Sequence, residues 1–156
     1  MEVILSAPRG FCAGVVRAIE VVEICLDRYG PPVYVKHQIV HNPYVVNDLE
    51  RRGAITVEDV DEIPEDSLVI FSAHGSPPED FVKAKARNLK VIDAVCPLVT
   101  KVHNEAKKYR REGKKVVLVG HKGHQEVRGT MGQVEMTLID DASYDELSTW
   151  DANQEV

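Results

Sequence analysis

Short runs of β-branched and other apolar residues recur along the chain, and most of them are continuous rather than alternating with polar residues. Continuous apolar runs of this length are typical of parallel β-strands that are buried on both faces of a sheet. The pattern predicts six strands, at residues 3–5, 33–35, 68–71, 91–92, 116–119 and 136–139.

Segments with helical spacing of apolar residues separate most of the predicted strands. Between residues 15 and 29, apolar side chains recur every three or four positions, which is typical of a helix with one buried face. Asn42 followed by Pro43 has the chemistry of a helix N-cap and first helical position. Further helices are predicted to begin near residues 77 and 97, and Ser143 with Glu146 has the spacing of a capping box for a last one. This alternation predicts an α/β fold, in which parallel βαβ units form a sheet with right-handed crossovers.

The composition is that of a globular protein, because 44% of the 156 residues are hydrophobic. The net charge of −6 opposes binding to nucleic acid, since the overall field would repel a polyanion. No apolar run is long enough to cross a membrane, and the N-terminus lacks the basic leader of a signal peptide. We therefore predict a cytoplasmic protein that binds neither nucleic acid nor membrane.

The three cysteines are an odd number with no close pair, which argues against a framework of disulfides. Spacing alone leaves Cys12 and Cys96 open to two interpretations, buried thiols or ligands. Each follows a predicted strand beside glycine or proline, where a thiolate can face a crevice next to a helix N-terminus. Their position favours the ligand interpretation, whereas Cys25 lies on the apolar stripe of a helix and is predicted to be core.

Residues with reactive side chains follow most of the predicted strands. In an open parallel sheet, ligands bind beyond the carboxyl ends of the strands, so these side chains are predicted to meet at one rim. The set includes every histidine except His103, which falls within a predicted helix. Its members are Cys12, His37, His41, His74, Cys96, His121, His124 and Glu126.

Several of these residues also have a purely structural interpretation. His41 precedes a predicted helix start and His74 lies in a turn, so either can serve the fold alone. Glu126 is either an ordinary exposed carboxylate or, two residues from His124, a proton donor. The surrounding glycines favour an anionic ligand such as phosphate or diphosphate, because glycine lets backbone N–H groups approach an anion closely. No Walker A loop or G-x-G-x-x-G motif follows a strand, so nucleotide binding has little support.

Five segments of the chain closely resemble, in order, the successive motifs of the IspH/LytB family of 4-hydroxy-3-methylbut-2-enyl diphosphate reductases. They read PRGFCAGVVRAI, YVKHQIVHNPYVV, FSAHGSPP, DAVCPLVTKVH and GHKGHQEVRGTMGQ. The resemblance implies an enzyme with a [4Fe-4S] cluster that reductively removes the allylic hydroxyl of its diphosphate substrate. The implied products are isopentenyl and dimethylallyl diphosphate, at the last step of the non-mevalonate route. Ferredoxin or flavodoxin is the implied electron donor.

The resemblance also implies roles for particular residues. Carried over position by position, it makes Cys12 and Cys96 ligands of the cluster. Glu126 would deliver a proton to the leaving hydroxyl. The residues that would hold the diphosphate are His41, His74 and His124.

Members of the family are longer and have three α/β domains around the cluster, so the resemblance implies an N-terminal portion of such a protein. Residues 1–96 would be the first domain and residues 97–156 an incomplete second one. The predicted strand within residues 1–7 would pack with a third domain, and the third cysteine ligand would likewise be absent from this chain. We therefore expect the piece to be inactive alone.

Two other functions account for the same residues. His41, His74 and His124 can be ligands of a single Zn or Fe ion in a hydrolase of phosphorylated substrates, with Glu126 as the base. Alternatively, the chain is a non-catalytic module that binds a diphosphate or a partner chain. The first alternative predicts one metal ion without inorganic sulfide, and the second predicts stabilisation by phosphate without any metal.

Overall fold

The computed structural model describes residues 2–140. In chain order its elements are α1 (Ala13–Tyr29), β1 (Val33–Lys36), α2 (Pro43–Arg51), β2 (Ala54–Val57), a 3-10 helix (Val60–Glu62), β3 (Leu68–Phe71), α3 (Pro78–Ala86), β4 (Lys90–Asp93), α4 (Pro97–Arg111), β5 (Val117–Val119), α5 (Gln125–Met131) and β6 (Thr137–Ile139). The predicted alternation of strands and helices is confirmed.

The strands form one sheet of four and one sheet of two, and every pairing among the described residues is parallel. The order in the larger sheet is β2-β1-β3-β4, so Tyr34 of β1 lies opposite Ile55 on one side and Val69 on the other. The strand order reverses between β1 and β3. In open α/β sheets the crevice at such a reversal, beyond the carboxyl ends of the strands, is the usual place for a ligand. The α/β fold with a parallel sheet is therefore confirmed, and the reversal marks the edge of the sheet where this topology favours a ligand.

Helices cover both faces of the four-stranded sheet, as the alternation of side chains along its strands requires. On β3, Ile70 points into one apolar cluster, which it shares with Ala18 and Val22 of α1. Val69 and Phe71 point into the other cluster, on the side of α3 and the 3-10 helix. All of these side chains are fully buried. Burial on both faces explains the continuous apolar run that predicted this strand.

Local chemistry fixes the ends of the helices that carry the site. The side-chain oxygen of Asn42 accepts hydrogen bonds from the backbone N–H groups of Tyr44 and Val45, so the predicted N-cap of α2 is confirmed. Gly30 ends α1 with a φ of 72°, a left-handed conformation that glycine adopts without a Cβ penalty.

The structure corrects three predictions. Residues 3–5 form no strand, and the side chains of Val3, Ile4 and Leu5 are exposed, because no described segment pairs with their backbone. Strand β2 was not predicted, although its β-branched residues Ile55, Thr56 and Val57 favour an edge strand. Helix α5 was likewise not predicted. The predicted capping box at Ser143 and Glu146 lies outside the described residues.

Two further predictions concern membrane-spanning helices and the domain boundary. No helix in residues 2–140 is long and apolar enough to cross a membrane. The predicted domain boundary after residue 96 stays a prediction.

Candidate functional site

The rim predicted from the sequence exists as a cavity at the point where the strand order reverses. It opens between the starts of α1, α4 and α5 and the loops that follow β1 and β3, and its volume is about 480 Å³. Five of the residues predicted to meet at the rim line it, namely Cys12, His41, His74, Cys96 and Glu126, and the ring of His124 lies beside that of His41. The lining residues are Phe11, Cys12, Gly14, Val15, Val40, His41, Asn42, Ala73, His74, Cys96, Leu98, Val99 and Glu126.

The sulfur atoms of Cys12 and Cys96 face the same point in this cavity. A Cβ built on Gly14 would lie 2.7 Å from the Cys96 Sγ and 3.9 Å from the Cys12 Sγ, so the two sulfur atoms are no farther apart than the sum of these distances. Both thiols are free. Two residues that are distant in sequence therefore converge, and the absence of a side chain at Gly14 leaves the space for their sulfurs.

The convergence of the two cysteines follows from their places in the fold. Cys12 is the N-cap of α1 and Cys96 is the N-cap of α4, so each sits where helical backbone begins. The Cys96 N–H donates to the Ala73 carbonyl at 3.0 Å, and Arg17 Nη1 of α1 donates to the Val95 carbonyl at 2.9 Å. These bonds tie the two helix starts to each other and to the loop after β3. N-termini of helices of this length favour negatively charged groups.

Three imidazole rings lie close together, two of them lining the cavity, and we call His41, His74 and His124 the histidine cradle. The ring centroids of His41 and His74 are 4.0 Å apart, and those of His41 and His124 are 5.2 Å apart. Imidazoles packed this closely can all donate to one polyatomic anion. The predicted convergence of these histidines is therefore a feature of the structure, while their role as ligands of a diphosphate stays a proposal.

Hydrogen bonds from neighbouring groups orient two rings of the cradle. The Nδ1 of His74 lies 3.2 Å from the Oγ of the buried Ser72. The Nδ1 of His124 accepts a hydrogen bond from the Glu126 N–H at 3.3 Å, since His124 is the N-cap of α5. A neutral imidazole that accepts at Nδ1 carries its proton on Nε2, so His124 presents an N–H donor on its other side.

Burial and mutual proximity make protonation of two rings of the cradle, those of His41 and His74, unfavourable without a ligand. Burial lowers the pKa of His74, the neighbouring His41, His37 and His124 rings add to that effect, and together they bring the pKa to about 4. Burial also lowers the pKa of His41, the His124 and His37 rings add to that effect, and the Glu126 carboxylate opposes it. An anion bound among these rings would favour their protonated forms. His41 and His74 are thus neutral at pH 7 and suited to becoming charged on binding an anion.

Glu126 is placed by α5, in the first turn of the helix that the sequence did not predict. Its side chain lines the main cavity and also a neighbouring apolar cavity of about 280 Å³, to which Leu118 and Val119 contribute. It is the single carboxylate among the residues that line the main cavity. The Glu126 carboxyl group therefore borders the same cavity as Cys12, Cys96 and His74.

The other predicted rim residues lie outside the main cavity. His37 adjoins the cradle, with its ring centroid 5.6 Å from that of His74. His121 lines the neighbouring apolar cavity. Cys25 is buried in the apolar core, as predicted, and is therefore no substitute for a further ligand. His103, which was predicted to fall within a helix, is buried on α4.

Sequence reasoning missed Ser72 and Glu58, which contact histidines of the rim. Ser72 ends the buried apolar run of β3, and Glu58 directly follows β2, the strand that was not predicted. A search for the residue after each strand would have found Glu58 only once Ala54–Val57 was assigned as a strand.

The donor set also tests which metal site fits. Among the described residues, no group of three or more histidine, cysteine or carboxylate side chains is arranged to hold a metal ion. The two convergent thiols are the chemistry that an iron–sulfur cluster requires of its protein ligands. The residues present therefore fit part of the ligand set of such a cluster.

Comparison with known proteins gives one family. The sequence profile described as LytB protein matches residues 3–155. A 4-hydroxy-3-methylbut-2-enyl diphosphate reductase of Acidithiobacillus ferrooxidans is 58% identical over 139 residues, which are 89% of this chain and 44% of the relative. A reductase of the same name from Mycobacterium sp. (strain KMS) is 60% identical over 132 residues, which are 85% of this chain and 40% of the relative. The chain thus spans less than half the length of these curated relatives.

Solved structures agree with this result. The E-1-hydroxy-2-methyl-but-2-enyl-4-diphosphate reductase of Plasmodium falciparum superimposes with a TM-score of 0.86 at 43% identity, covering 93% of this chain and 46% of that one. A second structure, of (E)-4-hydroxy-3-methyl-but-2-enyl diphosphate reductase, gives a TM-score of 0.78 at 37% identity, covering 94% of this chain and 53% of that one. At these identities the likeness extends to sequence as well as fold.

Proposed function

Because the chain belongs to the LytB family, we propose that it is the part of a 4-hydroxy-3-methylbut-2-enyl diphosphate reductase that holds the substrate diphosphate and two thiolates of an iron–sulfur cluster. In this proposal the allylic hydroxyl leaves as water, with consumption of two electrons and two protons, and the products are isopentenyl and dimethylallyl diphosphate. The observation that carries the proposal is that two cysteine sulfurs and the histidine cradle converge at one cavity.

The histidine cradle is proposed to bind the diphosphate. The Nε2–H of His124 points a donor away from its capped side, and burial keeps His41 and His74 neutral until an anion arrives. Binding of a diphosphate would then favour the protonated forms of these rings. The attraction between the anion and each imidazolium would offset the repulsion between the imidazolium groups. This arrangement favours a multiply charged anion over a singly charged one, because a singly charged ligand offsets less of the repulsion between the protonated rings.

Glu126 is proposed to hold the proton that the hydroxyl oxygen needs in order to leave as water. A hydroxide ion is a poor leaving group, whereas water leaves readily, so proton delivery to that oxygen assists cleavage of the carbon–oxygen bond. The carboxylate lines the cavity on which Cys12 and Cys96 also open. The apolar side chains around it, including Val99 and Leu98, are suited to an isoprenoid chain and to the exclusion of water.

Cys12 and Cys96 are the residues that would hold the cluster. When bound, a [4Fe-4S] cluster supplies electrons to the substrate and a Lewis-acidic iron. Both thiols lie at N-termini of long helices, where the backbone favours negative charge. Cys25 is buried in the core and cannot serve as a third ligand of the cluster. We therefore propose that the chain alone does not retain a stable cluster. Ferredoxin or flavodoxin as electron donor belongs to this proposal, and a cytoplasmic location stays a prediction.

Anoxic turnover tests the proposed function. The chain is co-produced with the C-terminal part of the Acidithiobacillus ferrooxidans relative that it does not cover, and the complex is supplied with a chemical reductant and the allylic hydroxy-diphosphate. We expect the two isoprenoid products from the unaltered complex and their loss in a Glu126→Gln complex that still contains iron. Equal turnover by the Glu126→Gln complex would exclude the proposed proton role.

A further inference from the structure

A fourth histidine adjoins the cradle and is held by a carboxylate. His37 Nδ1 lies 2.8 Å from Glu58 Oε2, and its ring stands nearly perpendicular to the rings of His41 and His74, at centroid distances of 6.1 Å and 5.6 Å. The ring is one-fifth exposed, whereas the Glu58 side chain is mostly exposed. The pair therefore extends from the neighbourhood of the buried His74 ring to solvent.

The backbone of His37 is held in an uncommon conformation. Its φ is 59°, in the left-handed region that non-glycine residues rarely enter and that costs free energy. The His37 N–H donates to the Val57 carbonyl at 2.7 Å, which fixes this turn against the end of β2. Such outliers cluster at functional sites, because surrounding structure must maintain them. In this turn the imidazole of His37 lies beside the rings of His41 and His74.

Glu58 is itself positioned by its neighbours. The Glu62 carboxylate accepts hydrogen bonds from the backbone N–H groups of Glu58 and Asp59, at 3.0 Å and 2.6 Å, and so orders the turn between β2 and the 3-10 helix. An ionised carboxylate can only accept, so the proton between the two side chains belongs to His37 Nδ1. Nε2 is then the nitrogen of His37 that can take a further proton.

Charge balance distinguishes His37 from the three rings of the cradle. The groups that face it are Glu58, His41 and His74, and the ammonium of the preceding residue, Lys36, is engaged by the buried Asp80. Among the four rings, His37 is the one with a carboxylate at hydrogen-bonding distance. A proton placed on it meets an opposite charge as well as the two neighbouring rings.

We propose that His37, oriented by Glu58, is a further positioning residue of the anion site and takes up a proton when a diphosphate binds in the cradle. The proton comes from solvent and resides on Nε2 of His37, and no bond to the ligand forms or breaks. The imidazolium lies behind His41 and His74, adds positive charge to the site, and holds those rings edge-on. This inference rests on the proposed function, because it requires the cradle to bind the diphosphate.

Calorimetric titration with inorganic pyrophosphate at pH 7, in buffers of different ionisation enthalpy, measures both affinity and proton uptake. The variants are His37→Asn, since asparagine tolerates the left-handed conformation, Glu58→Gln, and the double variant. Glu105→Gln is the matched control, because it removes one exposed carboxylate from α4, away from the cradle. We expect His37→Asn to bind pyrophosphate about tenfold more weakly and with less proton uptake than the unaltered chain. Glu58→Gln should weaken binding in the same direction, and the double variant should match His37→Asn.

The outcomes separate this inference from the proposed function. If His37→Asn binds pyrophosphate with unchanged affinity and unchanged proton uptake, the inference about His37 is wrong. The proposal that the histidine cradle binds the diphosphate is then unaffected. An unaltered chain that does not bind pyrophosphate would overturn both. A loss of affinity with unchanged proton uptake would reduce His37 to a packing role and also contradicts the inference. Should His37→Asn fail to fold, Glu58→Gln carries the same test, since its side chain is mostly exposed.

Discussion

The backbone of Gly129 in α5 lies directly against the backbone of Gly75 in the loop after β3. A Cβ at Gly129 would come within 2.8 Å of the Gly75 carbonyl oxygen and 3.1 Å of its carbonyl carbon. The contact joins the helix that carries Glu126 to the loop that carries His74. The distance between the proposed proton donor and the cradle is therefore set by backbone packing, without intervening side chains.

Substitution of Gly129 by alanine tests this contact. Alanine in a helix interior ordinarily stabilises by about 1 kcal/mol relative to glycine. Here we expect the opposite sign, a loss of about 1–3 kcal/mol, because backbone atoms must separate to admit the methyl group. Urea unfolding measures the change, and pyrophosphate titration should show weakened binding. Arg128→Ala, an exposed change on the same helix, is the control, and stabilisation by Gly129→Ala would contradict the contact.

Gly14→Ala tests the convergence of the two cysteines. The added methyl would lie 2.7 Å from the Cys96 Sγ, and this sulfur can rotate away because it ends a short side chain. We expect the thermal midpoint to be retained while the reaction of Cys12 and Cys96 with a bifunctional thiol crosslinker is lost. A Cys25→Ala background leaves only these two thiols. Crosslinking that is unaffected by the methyl would show that the sulfurs do not share this space.

Two substitutions at His124 separate its capping role from its proposed binding role. Asparagine caps helices well, so His124→Asn should keep the stability of α5, whereas His124→Ala should lose about 1 kcal/mol. Both variants lack the imidazole, and we expect both to bind pyrophosphate at least about tenfold more weakly. Thermal unfolding and calorimetry together give the two readouts. Normal pyrophosphate affinity in His124→Asn would remove this residue from the cradle.

The buried histidines predict how stability depends on pH. The folded-state pKa of His74 is about 4, below its ordinary value, so between those values the unfolded chain binds a proton that the folded chain does not. The stability is therefore complete above about pH 6.5 and is lost as the pH falls towards 4, by up to ~3 kcal/mol from this residue. His41 and His103, whose pKa values burial also lowers, act in the same direction.

Urea unfolding at pH 7 and pH 5 measures this loss. His74→Gln should show a smaller difference between the two pH values than the unaltered chain, because one of the titrating groups is gone. Added pyrophosphate should reduce the loss, since an anion favours the protonated rings. A pH dependence that is identical in His74→Gln would contradict the assignment of the buried group.

Much of this site could be predicted from the sequence, because the carboxyl ends of parallel strands meet at one edge of the sheet. His41, His74 and Cys96, which follow β1, β3 and β4, were predicted to meet, and they line one cavity. The convergence of Cys12 was predicted from a strand at residues 3–5 that the structure lacks, and it comes instead from its place as the N-cap of α1.

The parts that the sequence did not reveal depend on contacts between distant segments. Glycine at positions 129 and 132 hid α5 from helical periodicity, yet each is needed there because the helix lies against Gly75 and Pro77. The short run at residues 54–57 becomes a strand through its register with β1. Consequently the pairing of Glu58 with His37 could not be foreseen.

Iron and acid-labile sulfide analysis tests the central claim most directly. The chain, co-produced with the C-terminal part of the Acidithiobacillus ferrooxidans relative, is purified without oxygen beside a Cys12→Ser, Cys96→Ser variant. We predict iron and sulfide in equal amounts in the unaltered complex and neither in the double variant. A single metal ion without sulfide, retained when both cysteines are replaced, would contradict the account.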